Sequence, residues 1–160
     1  MASDLHTILC DRLGCRFPVV QTAMGWVADA RLVAATCNAG GFGFLVGAVR
    51  HAVKAVELGA DIITIQGAEG GGHTGSVPTT ILLPQVLDAV DVPVVAAGGM
   101  SDGRSLAAAL AWGAAGIAMG TRFLLTSDSP VARGALERYL ATDDPALIRV
   151  TTAVDGLPQR

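Results

Sequence analysis

Charge is scarce in this sequence. Charged residues make up 16% of its 160 positions and aromatic residues 4%. No Lys/Arg run occurs and the net charge is −3, so the basic stripe that nucleic acid or an anionic membrane surface requires is missing. Cysteine is equally sparse. Cys10, Cys15 and Cys37 are odd in number and have no CxxC spacing, which excludes a disulfide framework and offers no metal site. They read as free thiols of a reducing compartment. No apolar run reaches the roughly 20 residues of a membrane span. The first residues, with Asp4 and Asp11, have no long apolar core of the kind a secretory signal needs. The expectation is a soluble cytoplasmic protein with no metal, no membrane and no nucleic-acid partner.

What the chain does have is apolar residues (51%) and glycine, 20 in all. That is enough apolar material for one core, and the length suits one domain over 1–160. The densest glycine stretch is 62–75, IITIQGAEGGGHTG. Residues 62–65 are apolar or β-branched throughout and read as a buried strand. Gln66 then opens a loop whose only ionisable groups are Glu69 and His73. Glycines at this density allow positive φ and close backbone approach to a ligand. Such loops at strand ends are where α/β proteins place their chemistry.

The rest repeats one pattern. Residues 1–15 form an amphipathic lead-in, with Leu5, Ile8, Leu9 and Leu13 at helical spacing. Strands are predicted at 17–21, 42–46, 62–65, 92–97 and 116–119, and helices at 30–39, 49–58, 79–88, 103–112 and near 131–140. Asp29 and Asp102 serve as N-caps, and glycines follow the helix ends. Residues 127–129 read as a helix cap before Pro130, and 150–154 as a strand-like tail. Strands that are almost continuously apolar, alternating with helices, indicate a parallel sheet covered by helices. All loops after the strands then lie on one carboxyl edge. Those loops carry Met24-Gly25, residues 66–75, Gly98-Gly99 and Gly120-Thr121.

Gly98-Gly99 and Gly120-Thr121 follow the last two strands, where (β/α)-barrels commonly hold phosphate. Backbone N–H groups, the Thr121 hydroxyl and a helix N-terminus would make such a site, with Arg122 adding charge. The plainer reading is that these glycines serve tight βα turns. No GxGxxG follows the first strand, so a dinucleotide site of Rossmann type is unsupported. His73 reads either as a loop histidine bonded to backbone or as a general base presented by glycines. Glu69 reads as a hydrogen-bonding anchor of the loop, and His6 and His51 as surface residues. Met24 and Trp26 suit either a planar cofactor or the core.

Five segments taken together resemble the nitronate monooxygenase (2-nitropropane dioxygenase-like) family of FMN-dependent TIM barrels. They are 18–24 (PVVQTAM), 38–43 (NAGGFG), 66–75 (QGAEGGGHTG), 95–99 (VAAGG) and 119–123 (MGTRF). The resemblance implies a cofactor, FMN, contacted by Met24, Gln66, Gly71, Gly98, Gly99, Gly120 and Thr121, and a catalytic His73. It implies oxidation of alkyl nitronates to a carbonyl compound and nitrite with O₂. Residues 21–28 (QTAMGWVA), 126–129 (TSDS) and 150–158 (VTTAVDGLP) are more similar to a subgroup, the flavin-dependent dehydrogenases or reductases of CoA thioesters in steroid-ring degradation.

A closed (β/α)₈ barrel takes about 250 residues, and only about five of eight βα units are present here. The family's other strands, one followed by an Asn-bearing loop at the flavin, have no counterpart. The expected junction is an internal deletion near 46–49. Five parallel strands leave two sheet edges, a route to a homo-oligomer. A non-catalytic α/β fragment and a plain phosphate-sugar binding barrel are the alternatives to an enzyme.

Overall fold

The computed structural model describes residues 5–21, 35–36, 38–43, 49–57 and 62–160. The predicted helix 30–39, the end of the strand at 42–46 and the 46–49 junction lie largely outside the described residues. The elements are α1 (Ile8–Leu13), β1 (Val19–Gln21), β2 (Phe42–Gly43), α2 (Val49–Glu57), β3 (Ile63–Gln66), α3 (Thr79–Leu87), β4 (Val94–Ala97), α4 (Gly103–Ala111), β5 (Gly116–Met119), α5 (Thr121–Leu124) and α6 (Arg133–Ala141). A single turn of 3₁₀-helix, Pro145–Leu147, follows.

The five strands form one parallel sheet in the order β2-β1-β5-β4-β3. The sheet is α/β and of TIM-barrel type, with five strands among the described residues. β1 sits between β2 and β5, so the start and end of the βα series are neighbours, as in a barrel. β2 and β3 are the outer strands.

Both faces of the sheet are used. Ile63, Ile65, Val94, Ala96 and Ile117 face Ala52 of α2, Leu82, Leu83 and Val86 of α3, and Leu106 and Ala109 of α4. Val20, Val95, Ala97 and Ala118 pack on the other face with Leu9 of α1 and Ala115. This two-sided burial explains why β4 is apolar throughout, all four residues being buried. β3, at the edge, instead alternates, with Ile63 and Ile65 buried and Thr64 and Gln66 half-buried.

Local signals fix the helix ends. Thr7 caps α1 through the Leu9 N–H, and Gly14 closes it at φ +63°. Asp102 caps α4 in a capping box with Ser105, the pair satisfying donors at the helix start. α3 runs through Pro84, which lies on its exposed face, so the N–H it lacks leaves no buried carbonyl unpaired.

Three expectations are corrected. Residues 150–154 are not a strand: Thr151 makes one antiparallel bridge, to Gln159, and a turn with Gly156 at φ +85° lies between them. Residues 127–129 do not cap a helix. Ser129 Oγ accepts from the Val131 N–H at 3.4 Å, but Ala132 is still extended and α6 begins at Arg133 with no side-chain cap. Gly120-Thr121, read as a loop, leads at once into the short helix α5, which begins at Thr121 with Gly120 at its N-cap position.

Gly116 is the tightest point between α1, β1 and β5. A Cβ there would overlap Leu9 Cδ2 and the Pro18 carbonyl oxygen. The Leu9 methyl can move, but the Pro18 carbonyl, just before β1, is held by the Ile117 N–H at 3.1 Å. Gly116→Ala is expected to destabilise the fold by about 1–3 kcal/mol, read as a lower urea midpoint.

Candidate functional site

The registers bring the strand ends together. Gln66 is paired with Ala97, Ala97 with Ala118, and Met119 with Gln21. The loops after β3, β4 and β5 therefore start side by side on one carboxyl edge. Of the eight residues expected at the site, the structure brings seven to this edge; Met24 lies outside the described residues. Gln21, at the end of β1, is buried and its Oε1 accepts from the Thr36 hydroxyl at 2.8 Å.

The loop after β3 is held from below. Gln66 Nε2 donates to the His73 carbonyl at 2.9 Å and lies 3.4 Å from the Gly71 carbonyl. A Cβ on Gly70 would overlap the Gln66 side chain, so glycine at 70 is what lets this amide reach across. Glu69 is a loop anchor. Its Oε2 accepts from the Thr79 N–H and hydroxyl, both at 2.9 Å, and so caps α3, whose N-cap position is Pro78. Burial pushes the Glu69 carboxyl up. The Thr79 N–H, its own backbone N–H, the Thr79 hydroxyl and the charge of Arg160 outweigh that and bring it below its ordinary value.

Thr79 is the buried hub beneath. Its hydroxyl also faces the Gly98 carbonyl at 2.9 Å. Gly67 passes so close that a Cβ would overlap Thr79. Sequence reading passed over Thr79, for which the only signal was its place opening a helix after the glycine loop.

The glycines divide into two kinds. Gly98 (φ +94°) is internal, since a Cβ there would meet Gly67 and the Gly70 nitrogen at 3.0–3.1 Å. Gly99 (φ +74°) is exposed, with only Glu69 nearby at 3.4 Å. A Cβ on Gly71 would meet nothing nearer than the Thr121 hydroxyl, at 3.8 Å. Gly71, Gly99 and Thr121 thus border open space at the edge, and Gly120, half-buried, precedes Thr121. Among the described residues no acceptor takes the Gly99 or Thr121 N–H. Arg122 Nε donates to the Ser101 carbonyl at 2.8 Å and ties α5 to the loop after β4.

His73 is exposed, and its ring meets a segment that sequence reading treated as a tail. Its Nε2 lies 2.8 Å from Asp155 Oδ2 and 3.2 Å from Gln159 Nε2. The Asp155-Gly156 turn was the available signal, because Asp-Gly marks a chain reversal. His6, also exposed, pairs with Asp11 at 2.6 Å. A concave surface lined by Leu13, Gly14, Cys15, Arg16, Asn38, Gly40 and Gly41 opens at the opposite, amino edge, away from His73. Among the described residues no cluster of metal-ligating side chains occurs and no helix is long and apolar enough to cross a membrane.

A parallel sheet that places its glycine loops and one histidine on the carboxyl edge defines a (β/α)-barrel-type protein. The chain belongs to the nitronate monooxygenase family, whose model matches residues 6–50 and 45–160. It is 41% identical to (3aS,4S,5R,7aS)-5-hydroxy-7a-methyl-1-oxo-octahydro-1H-indene-4-carboxyl-CoA dehydrogenase of Rhodococcus jostii, over 99% of this chain and 66% of that protein. That alignment is 235 residues long, more than the chain itself has. Among solved structures, FabK from Thermotoga maritima superposes with a TM-score of 0.85 at 26% identity, over 97% of this chain and 74% of FabK. Nitroalkane oxidase from Streptomyces ansochromogenes does so at 0.64 and 36% identity, over 95% of this chain and 46% of that protein.

Membership implies a flavin cofactor. The residues present fit one. Open, side-chain-free positions at Gly71 and Gly99 leave room for a ligand, and the Gly99 and Thr121 N–H groups suit an anionic group such as phosphate. α5 has only four residues, so its dipole adds little and the N–H groups themselves are the donors.

Glu69→Ala removes the cap of α3 and is expected to cost about 1 kcal/mol at neutral pH. Because the folded-state carboxyl lies below its ordinary value of 4.5, its contribution is full above 4.5 and is lost as pH falls through the folded value. Urea titrations of both proteins should therefore differ at pH 7 and converge in acid.

Proposed function

We propose that this chain is an FMN-dependent oxidoreductase that oxidises a carbon acid, with His73 as the base. Support comes from the family, from the open glycine edge and from the imidazole of His73 standing at that edge. FMN is favoured over larger flavin nucleotides because it ends in one phosphate, which suits N–H donors from two short loops. Gly99, Gly120 and Thr121 would hold that phosphate, Gly71 would leave room beside it, and Gln66 would hold the loop that carries His73. Gly98 keeps the neighbouring loops in contact, and Met24 is assigned to the flavin from the family pattern alone.

The substrate reading we favour is a CoA thioester, and one observation carries it. The 41% identity to a CoA dehydrogenase runs over 99% of the chain, the 150–160 segment included. His73 would remove the proton α to the thioester carbonyl, and the electron pair would stay on carbon. The flavin, when bound, supplies the oxidation. The second reading is an alkyl nitronate oxidised with O₂ to a carbonyl compound and nitrite. It is favoured by the likeness to nitroalkane oxidase over 95% of the chain. There the ring would hold the anion or deprotonate the parent nitroalkane, the same chemistry at a different acid.

We further propose that the chain lacks an internal block near residues 46–49. The family model matches in two pieces that overlap at 45–50, and the aligned length exceeds the chain's own. The outer strands β2 and β3 would then be closed by a second copy in a homo-oligomer. Sedimentation should report a mass above that of one chain, and a monomer at micromolar concentration would remove the proposal.

Protein purified without added flavin should carry the visible absorption of bound FMN and turn over acyl-CoA esters in preference to nitronates. His73→Ala should keep the flavin and lose turnover by at least about 100-fold. Retained turnover would remove His73 from the chemistry. Absent flavin after incubation with FMN would leave the non-catalytic fragment as the reading.

A further inference from the structure

The segment 151–160 folds back on the His73 loop as a small hairpin. Thr151 and Gln159 exchange backbone hydrogen bonds at 2.8 and 2.9 Å. The second arm pairs with the loop: Gly72 and Arg160 exchange bonds at 3.0 Å, and the Thr74 N–H donates to the Pro158 carbonyl at 3.0 Å. Arg160 Nε adds a bond to the Ala68 carbonyl, also at 3.0 Å. Both neighbours of His73 are therefore fixed to this arm, while Gln66 holds the His73 carbonyl from the sheet side.

The turn of the hairpin aims one carboxylate. Asp155 Oδ1 accepts from the Leu157 N–H at 3.0 Å, which leaves Oδ2 directed at His73 Nε2, 2.8 Å away. Gln159 closes the same side, its amide 3.2 Å from Nε2 and bonded to Asp155. The Leu157 N–H first, then His73, hold the Asp155 carboxyl below its ordinary value, against a smaller opposing effect of desolvation. A carboxylate accepts and does not donate, so the proton between the two groups belongs to Nε2. The neutral ring then has its lone pair on Nδ1.

We propose that Asp155 is the positioning residue of the site: it holds His73 as the Nε2–H tautomer and makes Nδ1 the atom that takes the substrate proton. This rests on the reading of His73 as the base. In the step itself the substrate C–H bond breaks, its electron pair stays on carbon and the proton bonds to Nδ1. The resulting imidazolium keeps its other N–H on Asp155, which offsets the new charge. The hairpin is in this way part of the reacting centre, although it lies more than 80 residues along the chain from His73.

The test is Asp155→Asn, which keeps the shape and can still accept from the Leu157 N–H through its side-chain oxygen. Its amide can turn an N–H toward Nε2 and so favour the opposite tautomer. Nitrogen-15 NMR of the chain without flavin or substrate reads the tautomer directly. Wild type should show the Nε2–H form and the variant a shift toward Nδ1–H, with kcat falling by at least about 100-fold and KM little changed. Asp155→Glu should recover part of the rate. An Nδ1–H ring in wild type, an unchanged tautomer in the variant, or a switched tautomer with unchanged kcat would each overturn the proposal. The NMR readout needs no turnover, so it separates this failure from that of His73→Ala, which tests the base itself.

Discussion

The parallel pairing of β1 with β5 is the contact on which everything else rests. Val19, Val20 and Gln21 align with Ile117, Ala118 and Met119, and the approach is so close that glycine is needed at 116. α1 reinforces it, with Leu9 fully buried and the Thr7 hydroxyl bonded to the Ala115 carbonyl at 2.6 Å. This register decides which residues stand at the carboxyl edge. A slip of β1 by one position would turn Val20 to the wrong face of the sheet and take Gln21 off the level of Met119.

The edge itself is a set of loops that support one another. Glu69 and Thr79 join the first loop to α3 and to the end of β4, and Arg122 joins α5 to the loop after β4. The glycines that look functional in a list have different causes. Gly67, Gly70 and Gly98 exist because protein atoms occupy the space a Cβ would take. Gly71 and Gly99 face open space, and they are the positions a ligand would explain.

Much of this was legible in the sequence. β5 is found at its predicted residues, and the other strands among the described residues lie within their predicted runs or one residue beyond. Uninterrupted apolar residues between glycines leave little choice of period. The capping of α4 by Asp102 and the anchoring role of Glu69 followed from residue type and position. What was not legible is long-range. Nothing local in 150–154 distinguishes a strand from one arm of a hairpin paired to a loop far earlier in the chain. Asp155 looks like an ordinary turn acid until that pairing is known. Thr79 likewise gave only a local helix-start signal, while its bonds reach 10 residues back and 19 forward.

The order of the strands also sets the order of assembly. β3, β4 and β5 are consecutive in the chain and adjacent in the sheet, so they and their helices can form from local contacts. β1, although made before β5, has β2 as its neighbour among the described residues until β5 has emerged. At ribosomal speeds of ~5–20 residues per second, the roughly one hundred residues between them take about 5–20 s. During that interval the side of β1 that β5 will cover is an unpaired edge, open to association with other nascent chains. The sheet cannot be completed until its carboxyl-terminal half has been made, because the partner of β1 on that side lies there.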